Sequence, residues 1–315
     1  MVSPVIAEVS SGTKSAPGAG APGSPRPAPR LIAFDIDGTL MPSSGTLMAA
    51  RTLAALRATA ASGIEVVIAT GRRQAYAAPL LAPVGLAPAT ILISSNGTVT
   101  RDFAGHTFDR AFLPLETARA LCAELRPFGG TTVFTFDRIG RGELVLESLT
   151  RLHDRVALWV DANLDWIEEI NPLERAFDAG EAPIQGMVCG TVAEMSRAES
   201  YLASTPFSGL IEMHRTQYAE RDLSILDILP RGCSKGVALS RLAGRRGIAQ
   251  AEVMAIGDNW NDLEMLRWAG QPVLMGNAPE ELRAIAAEGG WEITATNDEY
   301  GVALVLERVL AAQGA

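Results

Sequence analysis

Basic residues are in short supply in this 315-residue chain. Lys and Arg number 27 against 36 Asp and Glu, for a formal net charge of −9. No basic run or basic face stands out, so the electrostatic footprint of a nucleic-acid partner is missing. Cysteine is scarce as well. Cys122, Cys189 and Cys233 share no metal-ligand spacing and cannot all pair with one another, so free thiols in a reducing cytoplasm are expected. No apolar run reaches the roughly 18 residues that would suggest a membrane span. The N-terminus lacks a basic start followed by an apolar block, so neither a membrane partner nor a secretory signal is expected.

Apolar residues are plentiful at 48%, enough for a sizeable core, and the length exceeds what one core usually serves, so two domains are expected. Residues 1–29 are rich in Ala, Gly, Ser and Pro and hold six of the 18 prolines. Such a segment cannot form an ordinary packed element and reads as a disordered tail. Then Leu31–Phe34, Glu65–Ala69 and Thr90–Ile93 form short apolar runs, each ending in a polar loop. Helical patterns lie between them, from about Thr46 (Leu47, Leu53 and Leu56 on one side, Gly63 as stop) and over 73–82. The pattern returns late, with strands at Leu223–Ile228, Val253–Ile256 and Pro272–Met275. Helices are expected near Ser234, from about Asn261, and over 279–288 and 298–312. Strands alternating with helices predict a doubly wound α/β core with a parallel sheet, whose ligands sit beyond the carboxyl ends of the strands.

Residues 112–213 differ in texture. They carry expected helices at Glu116–Arg126 and Ala193–Ala203, and strands at Thr132–Phe136, Glu143–Leu146, Met187–Cys189 and Leu210–Met213. The division predicted is therefore a tail over 1–29, a core from 30–111 and 214–315, and an inserted α+β domain over 112–213.

Four polar landmarks stand at the ends of apolar runs or in the loops after them. They are Asp35-Ile36-Asp37-Gly38-Thr39, Thr70-Gly71-Arg72, Lys235, and Gly257-Asp258-Asn259-Trp260-Asn261-Asp262. Asp35 and Asp37 differ by two positions at a strand end, so both can point into one crevice. One carboxylate can attack phosphorus while the other protonates the leaving oxygen and later activates water. Mg²⁺ between carboxylate and phosphate would remove their mutual repulsion, and Asp258 can add the further oxygen ligand such a site needs. Gly38 and the Asp37 amide can offer N–H groups to phosphoryl oxygens, Thr70 its hydroxyl, and Lys235 its positive charge. Each landmark alone has a plainer reading: a turn and helix start at Thr70–Arg72, a solvated charge at Lys235, a cap at Ser234, a turn at Gly257-Asp258. A calcium-binding EF-hand is excluded, because Thr39 and Thr46 stand where the loop needs acids. All four landmarks in this order favour phosphoryl transfer.

On these motifs the chain resembles the haloacid dehalogenase-like superfamily of phosphatases, and within it the Cof-type branch, whose α/β cap lies between the second and third motifs. The resemblance runs from Leu31 to the C-terminus. It includes Ser95-Asn96-Gly97, Ser234-Lys235-Gly236, Met275-Gly276-Asn277-Ala278 and Thr296–Val302. It implies a Mg²⁺-dependent, cytoplasmic phosphatase that acts on a small phosphorylated metabolite through an aspartyl-phosphate intermediate. Asp35 would be the nucleophile, Asp37 the acid/base, and Thr70 and Lys235 the groups positioning the phosphoryl. Gly38, Gly71, Arg72, Asn96 and Asn261 would face the substrate. The metal set would be Asp35, the Asp37 carbonyl and Asp258, with Asn261 and Asp262 supporting that loop. Two departures are small: Thr98 stands where the family often has Ala, and Trp260, inside the last motif, is expected to pack against the core. The acid at position 37 separates this chain from P-type ATPases, which have Thr there, and from haloacid dehalogenases, which lack the second acid. A phosphohexomutase, recognised by its need for a bisphosphorylated sugar, is the enzyme alternative. A catalytically inactive binding protein on the same fold is the other, distinguished by turnover of an aryl phosphate. In the insert, Arg138, Arg141, His153, Glu212, His214 and Arg215 are the polar residues that can face the site. A solvated surface is the plainer expectation for most, and His214 alternates with apolar neighbours as on a strand's outer face.

Overall fold

Leu31–Phe34, four consecutive buried apolar residues, form β1 at the centre of an eight-stranded sheet. The structure, a computed structural model, describes residues 27–45, 47–128, 132–152 and 156–314. β2 (Glu65–Ala69) and β3 (Ile91–Ser94) follow in parallel on one side of β1. A hairpin of β4 (Val99–Asp102) and β5 (Thr107–Arg110) then continues the sheet in antiparallel sense. Between the first strands lie α1 (Ala50–Ala61) and α2 (Gln74–Leu81). α1 begins four residues later than the apolar spacing suggested. Leu47, read as part of that helix, is exposed, and Thr46 lies outside the described residues.

The middle of the chain builds a second sheet with its own helices. It comprises α3 (Leu115–Leu125), β6 (Val133–Thr135), β7 (Leu144–Leu146), α4 (Ala157–Asp161), β8 (Ile167–Glu169), β9 (Gln185–Gly190), α5 (Val192–Ala203), β10 (Ile211–Tyr218) and β11 (Leu223–Pro230). The strand order is β10-β11-β9-β6-β7-β8, antiparallel except for the β7–β8 pair. Phe134, Phe136, Leu226 and Ile228 pack one face of this sheet against α3 and α5.

The return to the first sheet comes later than residue 214. Residues 211–230 form a long hairpin paired in register from Ile211–Pro230 to Tyr218–Leu223, and β11 also pairs with β9. The apolar run 223–228 therefore belongs to the second sheet. A run buried on both faces looks the same whether its neighbours are parallel or antiparallel. After Pro230 come α6 (Lys235–Arg246), β12 (Val253–Gly257), α7 (Leu263–Trp268), β13 (Gln271–Leu274), α8 (Glu280–Glu288), β14 (Glu292–Ile293) and α9 (Gly301–Gln313). β12, β13 and β14 extend the first sheet in parallel on the other side of β1.

The period-two alternation of β1 and β2 sorts their side chains to two layers. Ile32, Phe34, Val66 and Ile68 join a cluster with α1, α2 and α9; Leu31, Ala33, Val67 and Ala69 join one with α6, α7 and α8. Helices thus cover both faces, and the chain reverses direction across the sheet between β1 and β12. Their carboxyl ends open the crevice where doubly wound proteins bind ligands. Of the expected tail, residues 1–26 lie outside the described residues. Residues 27–29 lie beside the start of β13, where Gln271 Nε2 donates to the Pro27 carbonyl (2.9 Å).

Candidate active site

Asp35 is the first residue past β1, and its N–H donates to the Ile256 carbonyl of β12 (3.0 Å), pinning it at the mouth of the crevice. The chain then turns sharply through Gly38, whose φ of +77° suits glycine. A Cβ at Gly38 would lie 2.2 Å from Asp258 Oδ2, so only glycine lets this turn lie so close to the β12 loop. Thr39 Oγ1 donates to Asp258 Oδ1 (2.9 Å), joining the first and last motifs directly. Lys235 comes from the first turn of α6. Ser234 caps that helix by accepting from Val237 N (3.1 Å). The expected helix cap holds at Ser234, and Lys235 beside it is buried against carboxylates and is not a solvated charge.

Lys235 Nζ is fully buried and donates to Asp35 Oδ1 (2.6 Å) and Asp262 Oδ1 (2.7 Å). Asp262 Oδ2 accepts from the N–H groups of Asp258 (3.0 Å) and Asn259 (3.1 Å). Oxygen atoms of Asp35, Asp258 and Asp262 all lie within 4.8 Å of one another. Three buried carboxylates thus cluster beside one ammonium, which bonds two of them. Burial pushes Asp35 up to about 7, with Asp262 and Asp37 adding to the rise and Lys235 opposing it. Burial, then Asp35 and Asp262, holds Asp258 well above the carboxylate range. Burial works against the charge on Lys235, but its two carboxylates outweigh it and raise its pKa. The pocket is short of positive charge and rich in hard oxygen donors, a set that fits Mg²⁺. Asp35 and Asp258 have lone pairs to offer; Asp262 spends both oxygens on Lys235 and the loop amides, which makes it a brace.

Asp37 and Arg72 form a fork: Nε donates to Asp37 Oδ2 (2.6 Å) and Nη2 to Oδ1 (2.5 Å), with the guanidinium 4.4 Å over the Tyr76 ring. Arg72 is therefore engaged by the second acid in this conformation, not open to a ligand. The Thr70 hydroxyl is fully buried and accepts from Arg72 N (3.1 Å). Ser95, Asn96 and Gly97 form three successive positive-φ residues. Asn96 N donates to the Thr70 carbonyl (3.0 Å) and Asn261 Nδ2 to Asn96 Oδ1 (3.1 Å), so this turn ties the second and last motifs together. A Cβ at Gly97 would meet the Ser234 carbonyl at 2.2 Å, so the turn also abuts the start of α6.

Several residues that sequence reasoning passed over join the two sheets here. Arg73 Nη1 donates to Glu143 Oε2 (2.5 Å) and Nη2 to Asn163 Oδ1 (2.6 Å), with the guanidinium 4.5 Å over Trp166. Burial outweighs this pairing: it pushes Glu143 up to about 7 and lowers Arg73. Gln217 N donates to Asn259 Oδ1 (3.1 Å), and Asn259 Nδ2 donates back to the Gln217 carbonyl (3.1 Å). Burial, then the charges of Asp37, Asp258 and Asp35, raises Tyr218 above the usual phenol range and marks it as a neighbour of the carboxylates. Only the second arginine of Arg72-Arg73 offered a signal, since a charge beside the Thr70-Gly71 turn has a partner to find.

The expected candidates of the insert divide. Arg138 pairs with Glu181 over Phe136, and Arg141 is exposed. Glu212 accepts from Gly232 N (3.0 Å). His214 is buried, contrary to its expected outward face, with its Nε2 3.1 Å from the Cys233 carbonyl in the loop between β11 and α6. Arg215 stacks 5.5 Å over Trp260, which packs against the core as expected. His153 lies outside the described residues.

Comparison with known proteins agrees with this geometry. The family model of haloacid dehalogenase-like hydrolases matches residues 32–306. The phosphatase YwpJ of Bacillus subtilis is 31% identical, over 89% of this chain and 100% of its own. The 5-amino-6-(5-phospho-D-ribitylamino)uracil phosphatase YwtE of the same organism is 30% identical, over 90% and 99%. Among solved structures, a subclass IIB sugar phosphatase superposes with a TM-score of 0.72 at 25% identity, covering 89% of this chain and 98% of that one.

Proposed function

This chain belongs to the haloacid dehalogenase-like hydrolase family, as a Cof-type, subclass IIB phosphatase of small phosphate monoesters, and from that premise we propose that it hydrolyses a sugar or polyol phosphate through a phosphoaspartate at Asp35. The observation that carries the proposal is the placement of Lys235 Nζ between Asp35 and Asp262 at the crevice mouth, with Asp258 alongside.

In the first step an Asp35 oxygen forms a bond to phosphorus while the bond to the leaving oxygen breaks. Asp37 supplies the proton that oxygen takes. Both Asp37 oxygens are held by Arg72 in this conformation, so Arg72 must release one for the proton to be carried. In the second step Asp37 accepts a proton from water, which attacks phosphorus and frees Asp35 and inorganic phosphate. Thr70 and the N–H groups of the 36–40 turn hold phosphoryl oxygens, and Lys235 offsets the negative charge gathered around Asp35. Asp35, the Asp37 carbonyl and Asp258 would hold Mg²⁺, which when bound supplies Lewis-acid charge that lets carboxylate and phosphate approach. Asn261 and Asp262 keep that loop in place.

The second sheet, with its helices, acts as a cap. Its contacts with the first unit include Arg73 with Glu143 and Asn163, and Arg101 and Arg110 with Asp137, on one side, and Gln217 with Asn259 and Asp227 with Asn96 on the other. A closing cap recognises the leaving group and controls water. The preference for a polyhydroxylated leaving group follows the relatives, one named for a phosphorylated ribityl compound and one for sugar phosphates.

Purified protein assayed against a panel of phosphate monoesters tests the proposal. We expect hydrolysis with Mg²⁺, its loss in EDTA and its return on adding Mg²⁺, with Ca²⁺ a poor substitute because its looser shell misplaces nucleophile and phosphate. Sugar and polyol phosphates should lead the panel. Full activity in chelator with protein-bound metal shown to be nil, or no turnover of any monoester, would contradict it.

A further inference from the structure

We infer that Asp227, a buried carboxylate on the second sheet, is a positioning residue that sets the direction of an amide relay through Asn96 and so fixes which end of Asn261 faces the catalytic crevice. The inference deepens the proposed function and rests on it for its catalytic consequence.

Asp227 lies on β11, among apolar neighbours Leu226 and Ile228 that sit in the second sheet's core. It is 5% exposed, and burial pushes its carboxyl up to about 7 against two hydrogen bonds that favour the charge. Those bonds come from different parts of the chain: Gln185 Nε2 donates to Oδ1 (2.5 Å) and Asn96 Nδ2 to Oδ2 (2.8 Å). In its ionised form the carboxylate only accepts, so each facing amide presents its NH₂. For Asn96 this leaves its Oδ1 on the opposite side, toward Asn261. Asn261 must then present its own NH₂ to that oxygen, as it does at 3.1 Å. Its carbonyl Oδ1 is turned away from Asn96 and makes no hydrogen bond among the described residues. The loop that carries Asp258 and Asp262 thereby keeps a free acceptor at Asn261.

An amide by itself has no preferred sense, since either end can bond and the two are nearly isosteric. The carboxylate at one end breaks that symmetry for the whole chain. The backbone reinforces it: Asn96 is held in the left-handed region (φ 53°), with its N–H on Thr70 O. It therefore pivots only about its side-chain bonds. Without Asp227, the reversed relay, with NH₂ toward the crevice, satisfies the same partners equally well. Donor and acceptor would then be exchanged at Asn261.

A polarity-preserving swap tests this. In Asp227→Asn alone, the new amide can present either its oxygen or its NH₂ to Asn96, with Gln185 turning to match, so the relay loses its fixed sense and the reversed form becomes populated. Because a buried charge is removed, the fold should survive, and kcat for an aryl phosphate should fall about twofold or more in fully folded enzyme assayed near about pH 8. Asn96→Asp alone sets two carboxylates face to face and should lower the urea midpoint. Combining the two restores the sense: Asn at 227 donates to Asp at 96, whose other oxygen accepts from Asn261. We expect the double variant to regain the midpoint lost by Asn96→Asp and to exceed Asp227→Asn in kcat. A single Asp227→Asn variant with unchanged kcat, or a double variant no more stable than Asn96→Asp, would overturn the inference. The stability arm needs no activity, so failure of the wild type to hydrolyse any monoester refutes the proposed function without touching the relay.

Discussion

Asp35→Asn will abolish turnover and leave the fold intact. The amide keeps the shape of the carboxylate but cannot attack phosphorus. Because uncatalysed monoester hydrolysis is so slow, we expect kcat to fall by about four orders of magnitude or more. Stability should move the other way. Burial raises the folded pKa of Asp35 to about 7, above its ordinary value of 3.8. A carboxyl shifted upward binds its proton more tightly in the folded state, so its stabilising contribution is lost as pH rises through the folded pKa. Near neutral pH without metal the ionised group is a liability, and the amide removes it. Thermal unfolding in chelator should therefore give Asp35→Asn a midpoint equal to or above wild type. Activity within tenfold of wild type would remove Asp35 from the role of nucleophile.

Lys235→Met should damage both stability and chemistry. The ammonium lies buried between Asp35 and Asp262, 2.6 and 2.7 Å from their oxygens. Taking one member from a buried charge cluster leaves the others uncompensated, a loss of about 3–5 kcal/mol. The pH dependence identifies the cause. Without the cation, Asp35 retains its proton to still higher pH, so the loss should be smaller near about pH 6 and larger near about pH 8, above the wild-type value of about 7 for Asp35. Urea unfolding in chelator at the two pH values measures it. In activity, phosphoenzyme formation should suffer, since the incoming phosphate meets unrelieved negative charge. A pH-independent loss under about 1 kcal/mol would mean that the pair is no better than an exposed salt bridge.

The core sheet was legible because its strands are buried on both faces. Leu31–Phe34, Glu65–Ala69 and Val253–Ile256 are apolar runs that could hardly be anything else, and each ends in the polar residue that the sheet delivers to the crevice. The hairpin β4–β5 was not legible. Val99-Thr100-Arg101-Asp102 and Thr107-Phe108-Asp109-Arg110 are short and mostly polar, as an outer hairpin is, and carry no apolar run. β11 was seen as a strand but given to the wrong sheet, since sequence shows burial and not partners. Asp35, Lys235 and Asp258 stood out by their place at strand and helix ends. Asp227, Arg73 and Gln217 did not, because their meaning lies in partners 42 to 131 residues away, such as Asn96 and Asn259. Asp227 in particular sits inside an apolar strand, where local pattern offers only an anomaly.

Trapping the phosphorylated enzyme tests the central claim most directly. Enzyme mixed with a labelled aryl phosphate and Mg²⁺, quenched in acid within one turnover and digested, should yield label on one peptide, at Asp35. The label should accumulate further in Asp37→Ala, which keeps the nucleophile but lacks the group that activates water, the aryl leaving group needing little protonation. Turnover with no covalent label in either protein, or label on any residue other than Asp35, would contradict the account.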